Sequence, residues 1–91
     1  MIVITAVRLT GGEGHEHISA VMWRSGATIG AVAPQGAIID WLCGHDDGRA
    51  VVMEGKHEVR VEIVRENGKE PYLRTRANGA WSDHLLALPR F

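Results

Sequence analysis

Residues 2–9, IVITAVRL, place Val3, Thr5, Val7 and Leu9 on one side of an extended backbone and Ile2, Ile4, Ala6 and Arg8 on the other. Both sides are largely apolar. Such a strand is stable where both sides are covered, either in the middle of a sheet or against a partner chain. The chain has 91 residues. Folding at that length buries only roughly 60–65 % of the unfolded surface, so residues 1–91 form a single domain around one core.

The remaining pattern supplies further strands and one helix. Glycines at 11, 12 and 14 form a turn, after which residues 17–24 alternate Ile18, Ala20 and Met22 against Ser19, Val21 and Trp23, so strands one and two pair as a hairpin. SGATIGAVAPQG reads as a connection because of its glycine and proline density. PQGAIIDWLCG reads as a helix with Pro34 in its first turn and Ile38, Trp41 and Leu42 on one face. Gly44 is placed to stop it in the left-handed conformation. Residues 50–54 form a third strand, and residues 58–65 alternate with Val59, Val61 and Ile63 inward and Glu58, Arg60 and Glu62 outward.

ENGK then turns the chain into PYLRTRA. A two-residue turn at Asn67 and Gly68 drives Arg74 and Arg76 into the apolar face. A three-residue loop changes the parity, pairs Val61 with Leu73 and Val59 with Thr75, and leaves the arginines with Glu58 and Glu62. The second register is preferred. In the tail, Asn78 and Gly79 form another turn, Ser82 caps a helical turn over residues 83–87, and Pro89 stops it. The expected fold is therefore α+β: an antiparallel sheet of about five strands in the order β-β-α-β-β, a main helix on one face and a short C-terminal helical turn.

Charge and cysteine content narrow the classes of function. Ten Lys and Arg against eleven Asp and Glu leave a net charge of −1, so no global field draws the chain to nucleic acid or to a membrane surface. The apolar runs are too short to span a bilayer. The single cysteine, Cys43, makes no intrachain disulfide and fits a reducing, cytoplasmic setting; its expected place is the core. Trp23, Trp41 and Trp81 are expected to anchor the helix and tail on the sheet.

Three stretches, ITAVRLTGGEGHEHISAVMW, YLRT at 72–75 and LLALPRF at the end, together resemble the family of small bacterial and phage-associated proteins called domain of unknown function 3892. The resemblance covers nearly the whole chain and implies a compact α+β domain with no assigned activity. The family pattern has asparagine at the position of His84, which counts against His84 as an essential base or ligand.

Several groups of residues bear chemistry. His15 and His17 share a face if the strand already begins at His15, as in zinc-binding His-x-His pairs, with Glu13, His45, His57, Asp83 and His84 as candidates for further ligands. No second ligand pair stands at a recognisable spacing. The glycine loop presents backbone N–H groups but matches no phosphate-binding fingerprint. Arg74 and Arg76 with Tyr72 make a cationic strip for an anion, interleaved with Glu58 and Glu62. Ser82, Asp83 and His84 are too close in sequence for a nucleophile, base and orienter, because consecutive side chains diverge.

Two functions remain open. The first is a non-enzymatic binding or regulatory module that contacts a protein or a small anionic ligand through residues 11–17 and 72–76, with His15, Glu16, His17, Tyr72, Arg74, Arg76 and Asp83 as its site. The second is a zinc-dependent hydrolase that uses the His15 and His17 pair. The size of the chain favours the first. If the sheet face carrying Val21 and Trp23 is open, it also predicts a homodimer.

Overall fold

Strand β1, Ile2–Leu9, takes an interior position in the sheet, between two neighbouring strands, as its apolar faces lead one to expect. The computed structural model describes residues 1–91. It follows β1 with a 3-10 turn at His15–His17, β2 (Ile18–Ser25), β3 (Thr28–Pro34), helix α1 (Gln35–Gly44), β4 (Ala50–Glu54), β5 (His57–Val64), β6 (Tyr72–Ala77) and β7 (Ala80–Ser82). The seven strands make one sheet in the order β3-β2-β1-β4-β5-β6-β7.

This corrects the expectation of about five antiparallel strands with a main helix: the chain is 51 % strand and 14 % helical, so the sheet dominates. The sheet is also mixed. After α1 the chain enters beside β1, and β4 runs parallel to it, pairing Ile2 with Ala50 and Val3 with Val51. The strands missed by pattern are β3 and β7. In the first, Gly30, two alanines and Pro34 interrupt the strand-favouring Thr28, Ile29 and Val32, and the segment is held by pairing with β2 at the sheet edge. The second has three residues and exists because Asn78 and Gly79, both at positive φ, fold Ala80 back onto Ala77.

Parity within β1 also departs from the simple alternation. The core contains Ile2, Ile4 and Val7 together, because a register shift between Ile4 and Ala6 inserts one extra residue opposite β2. Beyond the bulge, Val7 pairs with Val21 as Ile4 pairs with Trp23. Val21 and Trp23 therefore face α1 and the core instead of an open face, which removes the stated basis for a dimer there. The large exposed apolar side chains are instead Met1, Ile29, Val32 and Trp81.

The sheet curls strongly. Four strand spacings separate β2 from β6, about 19 Å across a flat sheet. Yet the Gln35 amide donates to Ile18 O at 2.6 Å and accepts from Leu73 N–H at 2.6 Å, so the start of β2 and β6 lie less than about 8 Å apart. The core fills the resulting concavity, with Ile4, Val7, Val21, Leu73 and Leu85 essentially inaccessible. Leu85 comes from the tail, whose single helical turn is closed by Ala87 N–H to Asp83 O at 3.1 Å. Residues 89–91 then continue alongside β1: Val7 N–H donates to Pro89 O, and Phe91 N–H donates to Val7 O.

Helix α1 buries Ile38 and Ile39 and rests Trp41 and Leu42 against the core. Gly44 lies inside it. The stop is instead His45, in an extended conformation, whose Nδ1–H donates to Trp41 O at 2.8 Å and satisfies a terminal carbonyl. The β5 and β6 strands keep the expected parity, with Glu62 opposite Arg74. The register is offset by two residues, Val61 facing Thr75 and Ile63 facing Leu73, because the connection occupies residues 65–71.

Candidate functional site

His15 and His17 do not share a face. They lie in the 3-10 turn, where positions two apart differ by about 120° around the axis, and not in β2. His15 turns inward and is 6 % exposed. Its ring stacks on Tyr72 with centroids 6.4 Å apart, and its Nε2 stands 3.9 Å from Asp83 Oδ1, too far for a hydrogen bond. That nitrogen has no partner in the protein.

Asp83 is held by Arg74, whose guanidinium donates to it at 3.0 Å and to Ser82 O at 3.2 Å. Burial pulls the His15 pKa below 6.5 and the Arg74 charge pulls the same way, with Asp83 and Glu16 opposing. The two leading causes both favour the neutral imidazole. The four residues His15, Tyr72, Arg74 and Asp83 come from the 3-10 turn, β6 and the start of the tail, and the curl of the sheet brings them together.

His17 points elsewhere. Its Nδ1 accepts the Gly14 N–H at 3.3 Å, so the ring proton sits on Nε2, and the ring lies flat over Gly12. A Cβ at Gly12 would stand 2.5 Å from that ring, which is why glycine occupies this position. Beside His17 opens a cleft of about 590 Å³, lined in part by Glu16, His17, Ser19, Gln35, Lys69 and Tyr72. Tyr72 Oη donates to Glu66 Oε1 at 2.7 Å, which raises the phenol pKa and lowers that of Glu66. Lys69 pairs with the same carboxylate at 3.5 Å.

Other expected members lie apart. Arg76 covers the exposed Trp81 ring at 4.9 Å and approaches Glu62 at 4.0 Å, so it does not extend the Arg74 group. Trp81 is thus a surface residue, not an anchor of the core. His57 lines a second cleft, of about 500 Å³, with Glu54 and His84. Cys43 is exposed, not packed in the core, and Arg65 donates to its Sγ at 3.1 Å. Nowhere do three or more His, Cys, Asp or Glu side chains converge as a metal site would require.

Two features had no local signal. Gln35 is a buried polar residue in an apolar run, and only its partners across the sheet explain it. The second is a chain from Glu54 to His84 Nε2, from His84 Nδ1 to Ser82 Oγ at 2.8 Å, and from Ser82 Oγ to Thr75 Oγ1 at 2.7 Å. Ser82 thus spends its hydroxyl on β6 and the tail, not on capping a helix. The chain ties the tail to the β4–β5 hairpin.

A family model described as a protein of unknown function, DUF3892, matches residues 3–89. The chain belongs to this family. No curated protein and no solved structure matches it. In this DUF3892 member the match spans every strand and the helix, from β1 through β7, together with most of the tail that covers the core. No helix is long and apolar enough to cross a membrane.

Proposed function

We propose that this DUF3892 protein is a non-enzymatic binding module whose recognition surface is the end of the sheet formed by the 3-10 turn and β6. The observation that carries the reading is the convergence of His15 with Tyr72, Arg74 and Asp83 beside an open polar cleft. Residues far apart in sequence come together there, with Tyr72, Arg74 and Asp83 held by hydrogen bonds and His15 buried beside them against the Tyr72 ring before any partner arrives.

Between a protein and a small anion, the contacts favour a protein. The cations at this end are already engaged: Arg74 by Asp83 and Ser82 O, Lys69 by Glu66. The cleft lining mixes Glu16 and Glu70 with His17 and Lys69, which suits a polypeptide of mixed polarity better than a phosphate.

Site-specific photocrosslinking tests this. The photoreactive residue p-benzoylphenylalanine at Tyr72 is expected to capture a polypeptide in the source cells, while the same residue at Lys56, on the exposed β4–β5 turn, captures none. Saturable amide shifts around Lys69 and Tyr72 on adding inorganic phosphate, with no crosslink at either position, would move the reading to an anion. The absence of both the Tyr72 crosslink and the phosphate-induced shifts would overturn it.

A further inference from the structure

Away from that surface, the β5–β6 ladder carries two charged rungs of opposite character. Glu62 stands opposite Arg74, whereas Arg60 stands opposite Arg76. Like charges in directly opposed positions repel, and an arginine is always charged. No carboxylate resolves the pair. On the same strand, Glu58 is paired with Arg49 at 3.4 Å and Glu62 approaches Arg76 at 4.0 Å, beyond hydrogen-bond reach, which leaves Arg60 without a counter-ion.

The ladder stops at that pair, although β5 begins at His57 and β6 runs to Ala77. The unpaired strand ends flank the cleft of about 500 Å³, whose lining includes Glu54, His57, Glu58, Arg60, Arg76 and Asn78. Its carboxylates are engaged: Glu58 by Arg49, Glu54 by His84 Nε2. Arg76 is positioned from its other side, with its guanidinium 4.9 Å from the Trp81 ring centroid and its Nε and Nη2 each donating weakly to Gly79 O at 3.4 Å. Its remaining N–H donors are free.

We propose that this cleft binds a phosphate group, either the free ion or the terminal group of a monoester, between the guanidiniums of Arg60 and Arg76. A tetrahedral oxyanion accepts from both planar forks at once and offsets the repulsion between them. A metal cation finds no matching set, because no three His, Cys, Asp or Glu side chains converge there. The volume lies within the range of small-molecule sites, so the organic part of a monoester fits beside the phosphate.

Proton–nitrogen correlation spectra resolve arginine Nε–H groups, and the probes are inorganic phosphate and phenyl phosphate, added at constant ionic strength. Both are expected to shift the Arg60 and Arg76 resonances saturably. Arg60→Met, at an exposed position, is expected to weaken phosphate binding roughly tenfold while leaving the rest of the spectrum in place. Glu62→Gln removes the nearest competing negative charge from Arg76 and should strengthen binding about two- to fivefold. Tighter binding of phenyl phosphate with a shift of the Trp81 indole assigns the cleft to a monoester, and equal affinities assign it to the free ion. Shifts that fail to saturate, that persist undiminished in Arg60→Met, or that appear only around Lys69 and Tyr72 would overturn the proposal. So would Glu62→Gln without any gain in affinity.

Discussion

Gln35 Oε1 accepts the backbone N–H of Leu73 at 2.6 Å, joining the first residue of α1 to a strand 38 positions later. The same amide donates to Ile18 O, so one side chain closes the gap between β2 and β6. Replacing it by Met keeps the length and removes both bonds. Each backbone group left buried and unpaired costs about 1–3 kcal/mol, so Gln35→Met is expected to lose roughly 2–4 kcal/mol in urea unfolding. A loss below about 0.5 kcal/mol would show that the bridge does not hold the curl.

His15 makes stability depend on pH. Its folded pKa lies below 6.5, so below pH 6.5 the unfolded chain takes up the proton more readily than the native one. The contribution is fully present above pH 6.5 and is lost as pH falls through the lowered folded value. Urea midpoints measured across this window should fall more steeply for the native sequence than for His15→Gln.

Arg74 and Asp83 act on that imidazole with opposite sign. Arg74→Met removes a neighbouring positive charge and should raise the His15 pKa, whereas Asp83→Asn removes a neighbouring negative one and should lower it. Proton resonance titration of the His15 ring reads both. Shifts of the same sign in the two variants would break the assignment.

Leu85, from the tail, is fully buried in the core, while Ile29 on β3 is 84 % exposed. Leu85→Ala should cost about 2–5 kcal/mol, and Ile29→Ala should stay within about 0.5 kcal/mol. Thermal unfolding of the two variants measures how far the tail is integral to the domain.

Zinc is expected not to depend on the histidine pair, because His15 and His17 point apart. Protein purified without a polyhistidine tag and its His15→Ala, His17→Ala double variant should carry the same metal content by elemental analysis. Stoichiometric zinc in the first and none in the second would restore the pair as a metal site.

The local pattern alone determined what depends on neighbouring residues. The bounds of β1 and β4, the alternation of β5, the helix after Pro34 and the Asn78–Gly79 turn all follow from side-chain period and turn chemistry. Tyr72, Arg74, Asp83 and His15 were legible as chemistry-bearing residues. Only the tertiary structure decided that they meet. It also decided that β4 lies parallel to β1, that Thr28–Pro34 is a strand, and that the bulge in β1 turns Val7 inward with Ile4. The physical reason is one of range. Side-chain period reports which face of a segment is apolar, but strand order, bulges and the direction of a side chain in a 3-10 turn are settled by contacts with residues far along the chain. Gln35 shows the limit most clearly: a polar residue in an apolar run makes sense only beside Ile18 and Leu73.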